Sequence, residues 1–379
     1  MKGLKEGFTT GTCATAASMA AVELAANGIL PSKVLVPLPP FRDGSPTSFM
    51  PVKASSGSRD IPPAYKIEGI GDPLAYAGVV KDGGDDPDAT NGAVIVATLY
   101  AVKDPKSLDT NAGREGSILL HGGFGVGVVT RPGLPVDVGE AAINPVPRQQ
   151  IHFALRSMKS ALAGLTAPLA VVISVPDGEK LARNTLNSRL GIIGGISILG
   201  THGIVKPFSS EAWMETVKSC LRIADPSLPI ILSTGRRSEK ALMTLYPELP
   251  RQSFIQAGDL VAFSLAEAAK KAPINIIWGA FFGKLVKMAQ GLPDTRASRG
   301  ELDLGWLASL HTSRDPEIAK EIAEVASARR ALEALQSSPR GEETIMEILR
   351  LAKSRARGWA GREVAIHLFH ENGEELARL

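Results

Sequence analysis

The second half of the sequence alternates strand-like and helix-like segments so regularly that few folds remain open to it. The apolar, strand-like segments are LPIILST, SFIQA and INIIWGA. Helices are predicted at 210–224, near 238–246, at 260–271 and again after FFGK. Short buried strands that alternate with helices are typical of a parallel, doubly wound sheet. We therefore predict an α/β domain with a mostly parallel sheet over residues 206–379. Two polar helices (316–336 and 341–356) and a hairpin around Asn372-Gly373 complete this domain.

The first half has a different pattern, in which strand-like segments follow one another and helices are few. An alanine-rich helix is predicted over 13–27, because alanine favours helices and Gly28 follows as a stop signal. A second helix is predicted at 147–163. The strand-like segments include KVLVPLP, NGAVIVATLYAV, SILLHGGFGVGVVT and PLAVVISVP. This order predicts an α+β N-terminal domain over residues 1–195. Two domains are expected, because 379 residues exceed what a single hydrophobic core normally stabilises.

Composition favours a small-molecule ligand over a macromolecular partner. The 42 Lys and Arg against 39 Asp and Glu leave a charge of +3, too small and dispersed for a nucleic-acid or membrane footprint. Cys13 and Cys220 lie far apart and outside any metal-ligand spacing, which favours a reduced setting. No signal peptide or bilayer-spanning stretch is visible. We expect a cytoplasmic protein, and the sequence is compatible with a homo-oligomer.

The carboxyl ends of the strands in the second domain are the expected ligand site, because ligands of open parallel sheets bind there. Each of three strand ends carries glycine. The candidate cofactor-binding residues are Thr234, Gly235, Gly258, Asp259, Gly279 and Gly283. A tight turn between strand and helix explains any single glycine equally well, but the three ends together favour a nucleotide-like ligand.

The glycine-rich segment GGFGVG at 122–127 does not satisfy the dinucleotide-binding fingerprint. That fingerprint needs a strand before it and a helix after it, whereas the sequence here continues as a strand. The chain also lacks a Walker sequence, an HExxH and a GxSxG. We expect no protein-bound metal.

The segment VKDGGDDPDATNG at 80–92 concentrates negative charge in a nearly neutral chain. Its aspartates are Asp82, Asp85, Asp86 and Asp88. The residue order of a calcium loop does not fit this segment. Three explanations remain: turns and caps, which Asp and Asn form readily beside Gly and Pro, a divalent-metal site, or a polar patch facing a cationic ligand.

Two histidines and one cysteine are further candidates for chemistry. His121 and His202 lie beside glycine-rich segments and could act as acid or base. Cys13 stands at a helix start, where its thiol pKa could be lowered, but packing among alanines is the simpler explanation.

Five long segments match the motifs of one known family. In chain order they are EGFTTGTCATAA, VKDGGDDPDATNGA, GVGVVTRPGLPVDVGEAAINPVPR, LNSRLGIIGGISILGTHGIVKP and ILSTGRRSEK with the later PELP. They resemble the CbiD family, the cobalt-precorrin-5B (C1)-methyltransferases of anaerobic cobalamin biosynthesis. One segment departs from the family pattern THSxRS: it reads TRASRG at 295–300, with Arg296 at the histidine position. A role of that histidine therefore cannot be transferred.

The resemblance implies methylation of ring carbon C1 of cobalt-precorrin-5B by S-adenosylmethionine, giving cobalt-precorrin-6A. Such a reaction requires aligned reactants and excluded water rather than a nucleophilic side chain, and cobalt arrives inside the macrocycle. The acceptor's acetate and propionate groups suit arginines and helix N-termini. The implied substrate-binding residues are Thr9, Thr10, Thr12, Arg131, Arg148, Arg189, Arg236 and Arg237, with Lys206 suited to the same task. The candidate catalytic residues are Asp85 and Asp86, near the donor sulfonium, and His202.

Two alternatives stay open on the sequence. A nucleotide-dependent oxidoreductase could use the same strand ends, and tight binding of a nicotinamide cofactor would identify it. A non-catalytic tetrapyrrole carrier would bind the corrinoid without transferring a methyl group.

Overall fold

The computed structural model describes residues 3–42, 44, 46–51, 70–102, 113–115, 118–165 and 168–379. Within it the chain divides into two compact units, Met1–Ser209 and Ser210–Leu379. The predicted boundary region, 195–206, is part of the first unit. Two short strands in that region pair with strands near residues 7 and 125, which ties it to the N-terminal half.

The first unit contains four helices and thirteen strands among its described residues. The helices are α1 (Thr10–Asn27), α2 (Pro145–Ser157), α3 (Lys159–Ala163) and α4 (Gly178–Ala182). The strands are β1 (Gly7–Phe8), β2 (Lys33–Pro37), β3 (Thr47–Pro51), β4 (Ile70–Val80), β5 (Val94–Val102), β6 (Gly113–Glu115), β7 (Ile118–Gly122), β8 (Gly125–Val126), β9 (Val128–Val129), β10 (Leu169–Ser174), β11 (Ile192–Ile193), β12 (Gly195–Ile196) and β13 (Ile204–Val205).

The main sheet of this unit has the order β4-β5-β10-β7-β6 and is antiparallel except for the β10–β7 pair. Helix α1 packs on it through alanines such as Ala17 and Ala20, which are fully buried. Alanine has only a methyl group, so the helix can approach the strands closely. The predicted helix and its glycine stop are confirmed: Gly28 follows α1 with a left-handed φ of 69°.

The clustered glycines of this unit serve close backbone approach. A Cβ at Gly125, which has a φ of 73°, would lie 1.8 Å from the carbonyl oxygen of Val175. Gly178 and Gly195 meet the backbone of Gly125 in the same way. Strands β8 and β12 pair in parallel here, and no helix follows GGFGVG, so rejection of the dinucleotide fingerprint is confirmed.

The second unit contains eight helices and five strands. The helices are α5 (Ser210–Ile223), α6 (Arg236–Leu245), α7 (Val261–Lys270), α8 (Phe282–Ala289), α9 (Leu304–Ser309), α10 (Pro316–Glu324), α11 (Ala328–Ser337) and α12 (Gly341–Ala360). The strands are β14 (Ile230–Ser233), β15 (Phe254–Gln256), β16 (Ile276–Phe281), β17 (Ala365–Phe369) and β18 (Glu375–Arg378).

The predicted, mostly parallel sheet is confirmed. Its order is β15-β14-β16-β17-β18, with the first four strands parallel and β18 returning antiparallel as the predicted hairpin. Alternate strand residues face opposite layers. Ile231 and Ile277 pack with Leu242 of α6, whereas Leu232 and Trp278 pack with the core that includes α7, α8 and α12.

Two predicted helices are each divided in the structure. The segment predicted as one helix over 316–336 is α10 and α11, because the Ser327 side chain accepts a hydrogen bond from Arg330 N and starts a new helix. The segment predicted over 147–163 is α2 and α3, divided at Met158, whose ψ of 42° is not helical. Strand β3 covers the first part of the strand-like segment FMPVKAS, up to Pro51, and the remainder of that segment lies outside the described residues.

Candidate functional site

The carboxyl ends of four parallel strands meet at one edge of the second unit's sheet. Strands β14 to β17 run in the same direction, so Ser233, Gln256, Phe281 and Phe369 mark this edge. The chain order reverses between β14 and β16, which is the switch point where open α/β sheets leave a crevice.

The end of β14 leads directly into helix α6. Gly235 is the N-cap residue, and the Thr234 hydroxyl lies 3.1 Å from the Ser238 hydroxyl. Arg236 and Arg237 open the helix and are exposed. The guanidinium carbon of Arg237 lies 5.0 Å from the centre of the Phe281 ring, a cation–π contact that links the ends of β14 and β16.

The end of β15 carries a charged network. The Asp259 carboxylate accepts hydrogen bonds from Lys284 Nζ and, at 2.7 Å, from the Thr295 hydroxyl. Lys287 is nearly buried and donates to the carbonyl oxygens of Thr295 (3.3 Å) and Gly300 (2.8 Å). Burial and the neighbouring Lys284 ammonium lower the pKa of Lys287. The predicted candidate Asp259 is thus an ion-pair partner that holds Lys284 in place.

A cavity of about 340 Å³ opens beside this network, at the ends of β16 and β17. Its apolar wall consists of Phe281, Phe282, Leu302, Ala328, Leu332 and Phe369. Its polar wall consists of Gly283, Lys284, Lys287, Arg329 and Glu371. The volume falls in the range of small-molecule sites, which is about 300–1,000 Å³. We call this space the β16–β17 cavity.

Of the predicted glycines Gly258, Gly279 and Gly283, only Gly283 lines the β16–β17 cavity. Gly283 lies in the first turn of α8 and lines the β16–β17 cavity. Gly279 does not lie at a strand end, because β16 continues to Phe281. A Cβ at Gly279 would lie 2.5 Å from Leu242 Cδ1, so the glycine permits core packing. Gly258 has a φ of 63° and a turn role, with Trp213 packed against it.

In the first unit, the aspartate loop (residues 80–92) is held by hydrogen bonds and ion pairs, both within the loop and to Lys5 and Phe208. Asp82 pairs with Lys5 at 2.5 Å, and Asp88 pairs with the buried Lys81 at 2.5 Å. Asp85 accepts from Lys5 N at 2.6 Å, and Asp86 accepts from Phe208 N at 3.0 Å. Turns, caps and one buried ion pair therefore account for the cluster, and Asp85 and Asp86 each have a structural partner.

The predicted threonines lock the start of α1 to the segment 199–203. Thr9 caps the helix through Thr12 N, and the fully buried Thr12 hydroxyl donates to Gly203 O at 2.8 Å. The Thr10 hydroxyl accepts from Leu199 N at 2.8 Å. These hydroxyls are occupied within the protein, so they shape this region rather than offer free groups to a ligand. Cys13 follows in α1 and is fully buried among the alanines of the core, so packing explains its position. Burial also raises its pKa to about 12.

The predicted cations of the first unit differ in how available they are. Arg131 and Lys206 are exposed. Arg148 is committed, because it donates to Ile143 O at 2.7 Å and pairs with Glu140 at 3.1 Å. Arg189 is half-buried and has an interaction within the protein.

The two histidine candidates also differ in position. His202 is exposed, with Nδ1 3.0 Å from the Thr201 hydroxyl. His121 is half-buried in β7 and has an interaction within the protein. Exposure leaves His202 the more accessible of the two to a ligand.

Arg296, which stands where the family pattern has histidine, has a structural position. Its Nε donates to both Asp294 carboxylate oxygens at 3.0 Å, and its Nη1 donates to the Ser210 hydroxyl at 2.7 Å. The hydrogen bond that Arg296 donates to Asp294 raises the pKa of Arg296. The guanidinium therefore fixes the segment that also presents Thr295 to Asp259.

Sequence reasoning missed most of the β16–β17 cavity. Lys284 follows a strand end and could have been identified by that position. Arg329 comes from α11 and Glu371 from the hairpin turn, neither of which carries a motif. Across the described ranges, no three His, Cys, Asp or Glu side chains group as a metal site would require, and no helix has the length and apolarity to cross a membrane.

Comparison with known proteins gives close relatives over nearly the whole chain. The sequence profile of the CbiD family matches residues 1–207. A protein of Nitratidesulfovibrio vulgaris named cobalt-precorrin-5B C(1)-methyltransferase is 44% identical over 98% of this chain and 92% of its own length. A protein of the same name from Geobacillus kaustophilus is 39% identical over 100% of this chain and 95% of its own.

A solved structure, the 1.9 Å crystal structure of the cobalamin biosynthesis protein CbiD from Archaeoglobus fulgidus, is 28% identical to the chain. It covers 78% of this chain and 83% of its own, with a TM-score of 0.39.

The relatives define the class of this protein: it is an enzyme of cobalamin biosynthesis with methyltransferase activity. More particularly, the chain belongs to the CbiD family. The resemblance inferred from its five motifs is confirmed.

Proposed function

We propose that this enzyme transfers a methyl group from S-adenosylmethionine to C1 of cobalt-precorrin-5B, giving cobalt-precorrin-6A. The proposal rests on one observation: relatives that are named for this reaction align with 98–100% of the chain. The donor supplies a methyl group on a positively charged sulfur, which is attacked by the ring carbon. The protein's task is therefore to hold two ligands in line and exclude water.

The donor binds, in this proposal, at the carboxyl edge of the second unit's parallel sheet. Thr234, Gly235 and Gly283 lie at this edge, and Asp259 organises it through Lys284. Gly258 and Gly279 contribute by allowing the turn and the packing beneath it. The switch-point crevice supports this placement, because ligands of such sheets bind at that position.

The acceptor's carboxylates require cations that are not already paired inside the protein. Arg131 in the first unit, and Arg236 and Arg237 in the second, are exposed and meet this requirement. Arg148 and the threonines at the start of α1 instead support the surrounding backbone, and Arg189 already has an interaction within the protein. A charged hydrogen bond to a carboxylate is worth more than a neutral one, so each exposed arginine should contribute to substrate affinity.

Proton transfer on the macrocycle is assigned to His202, since it is exposed and its ring nitrogen is oriented by Thr201. Asp85 and Asp86 shape the loop and could also face the positive sulfur. If Asp85→Asn and Asp86→Asn leave donor affinity and turnover unchanged, their role is confined to the loop. Cys13 and Cys220 form no disulfide, and a cytoplasmic location is part of the proposal.

The test is an anaerobic incubation of the purified protein with S-adenosylmethionine and cobalt-precorrin-5B, followed by mass spectrometry of the corrinoid. We expect a gain of one methyl group that depends on both protein and donor. A donor labelled with ¹³C in the methyl group would then place it on C1 by NMR. Binding of the corrinoid without methyl gain would favour a carrier instead, and tight nicotinamide binding with no response to S-adenosylhomocysteine would favour an oxidoreductase.

A further inference from the structure

We propose that the β16–β17 cavity holds the adenosyl group of the methyl donor. This inference rests on the proposed function and narrows the place of the donor within the carboxyl edge of the sheet. The adenosyl group lies at the ends of β16 and β17, next to the ends of β14 and β15. It also assigns roles to side chains that no sequence motif identified: Phe281, Phe282 and Glu371.

The shape and chemistry of the cavity suit adenosine. Its volume of about 340 Å³ is that of a small nucleoside site and is too small for a tetrapyrrole with its acetate and propionate arms. Phe282 and Phe369 are almost fully buried, so the surrounding side chains hold the aromatic wall that they form in place. Such a wall suits a planar base, since aromatic groups pack well against one another's faces and edges.

Charges of both signs surround the cavity, which favours the donor over the acceptor as its occupant. Three cations, Lys284, Lys287 and Arg329, line it. The Asp259 carboxylate holds Lys284, and Glu371 lies 3.7 Å from Arg329. A ligand with many carboxylates would need an excess of positive charge, whereas a donor with an amino acid end and a sulfonium has both signs.

Glu371 provides the acceptor that a ribose requires. It follows the end of β17, and carboxylates just beyond a parallel strand commonly accept hydrogen bonds from ribose hydroxyls. Lys284 and Lys287 also line the cavity, and their positive charge suits the donor's carboxylate. Arg237 covers Phe281 and so holds the aromatic wall from the side of β14.

The experiment compares two glycine substitutions of the same kind. Gly283 and Gly358 both lie in helices, so Gly→Ala improves helix propensity at each. A Cβ at Gly283 would lie 2.9 Å from Ala328 Cβ and narrow the cavity, whereas a Cβ at Gly358 meets no atom within 4 Å. The readout is S-adenosylhomocysteine affinity by calorimetry, with thermal unfolding to show that each variant is folded.

We expect Gly283→Ala to weaken S-adenosylhomocysteine binding about tenfold, since overpacking of a tight wall has that effect. Glu371→Gln should weaken it several-fold, and Gly358→Ala should bind like the wild type. Ala328→Phe, which fills the cavity, should abolish binding in protein that remains folded.

The inference is overturned if folded Gly283→Ala and Ala328→Phe bind S-adenosylhomocysteine as the wild type does while the wild type methylates the corrinoid. The proposed function, in contrast, fails if the wild type itself neither binds S-adenosylhomocysteine nor transfers a methyl group. The two failures are therefore distinct.

Discussion

The buried ion pair between Lys81 and Asp88 allows a strict test of how the aspartate loop is stabilised. The Lys81 side chain is 1% exposed and that of Asp88 is 23% exposed, with 2.5 Å between Lys81 Nζ and Asp88 Oδ2. Asp88 also accepts from the amide and the hydroxyl of Thr90, each at 2.7 Å. In Asp88→Asn the amide oxygen can still accept these bonds, so the change removes mainly the charge that compensates Lys81.

The expected cost follows from this burial. Removing one member of a buried ion pair destabilises a protein by roughly 3–5 kcal/mol. Because Asp88 keeps some solvent contact, we expect the lower end, about 3 kcal/mol. For a domain of this size that corresponds to a fall in melting temperature of about 6–12 °C. Asp82→Asn is the matched control: its pair with Lys5 is exposed, so its loss should cost less than about 1 kcal/mol.

The assay is urea or thermal unfolding followed by circular dichroism, for both single variants and for Lys81→Met combined with Asp88→Asn. The double variant removes both buried charges and should recover part of the stability lost in Asp88→Asn. Equal stability of Asp88→Asn and Asp82→Asn would refute the argument from burial. So would a double variant less stable than Asp88→Asn alone.

The pH dependence of the same pair has a definite sign. Burial raises the pKa of Asp88, but the Lys81 ammonium and the hydrogen bonds from Lys81 and Thr90 lower it by more, so the folded-state pKa is below its ordinary value. The contribution of Asp88 is therefore complete above the ordinary aspartate pKa of about 3.9 and is lost as the pH falls further. Asp88→Asn should remove this part of the acid sensitivity.

Three further predictions concern other buried groups. Gly125→Ala should abolish folding or lower the free energy of unfolding by more than about 3 kcal/mol, because the new methyl group collides with Val175 O at a left-handed φ. Gly139→Ala, whose methyl group would meet open space, should lower it by only about 1 kcal/mol, and thermal unfolding compares the two variants. Burial lowers the pKa of His311, so the unfolded chain binds the proton first, and stability should decline as the pH falls below about 6.5. That decline should be smaller in His311→Gln, as measured by urea unfolding across pH. Since burial raises the pKa of Cys13 to about 12, iodoacetamide at pH 8 should leave this thiol unmodified until urea unfolds the chain, as peptide mass spectrometry would show.

Local patterns allowed much of the fold to be predicted. The alternation of short apolar strands and helices after residue 210 predicted the parallel sheet, because each element's periodicity is written in neighbouring residues. Gly28 and Asn372-Gly373 marked a helix end and a hairpin for the same reason: positive φ strongly favours glycine. The break between α10 and α11 was missed, because a serine cap is a weak signal inside a continuous helical pattern.

The candidate site, like the fold, could be predicted only in part. Glycines and charged residues at strand ends could be located from the sequence, and so could the motifs that identify the family. Which of them remain available to a ligand could not be predicted, because that depends on contacts formed on folding. Arg148 is held by Glu140, eight residues away, and Asp259 is held by Lys284, 25 residues away.

The sequence by itself determined the class of each unit's sheet, the family and the reaction expected of it, since all of these follow from short contiguous segments. Only the tertiary structure decided that Thr12 is buried, that the aspartate loop neutralises Lys81, and that a cavity forms beside Phe281. The physical reason is that burial and charge compensation are properties of surfaces brought together by folding. The walls of the β16–β17 cavity come from segments between residues 281 and 371, and no local period records that they meet.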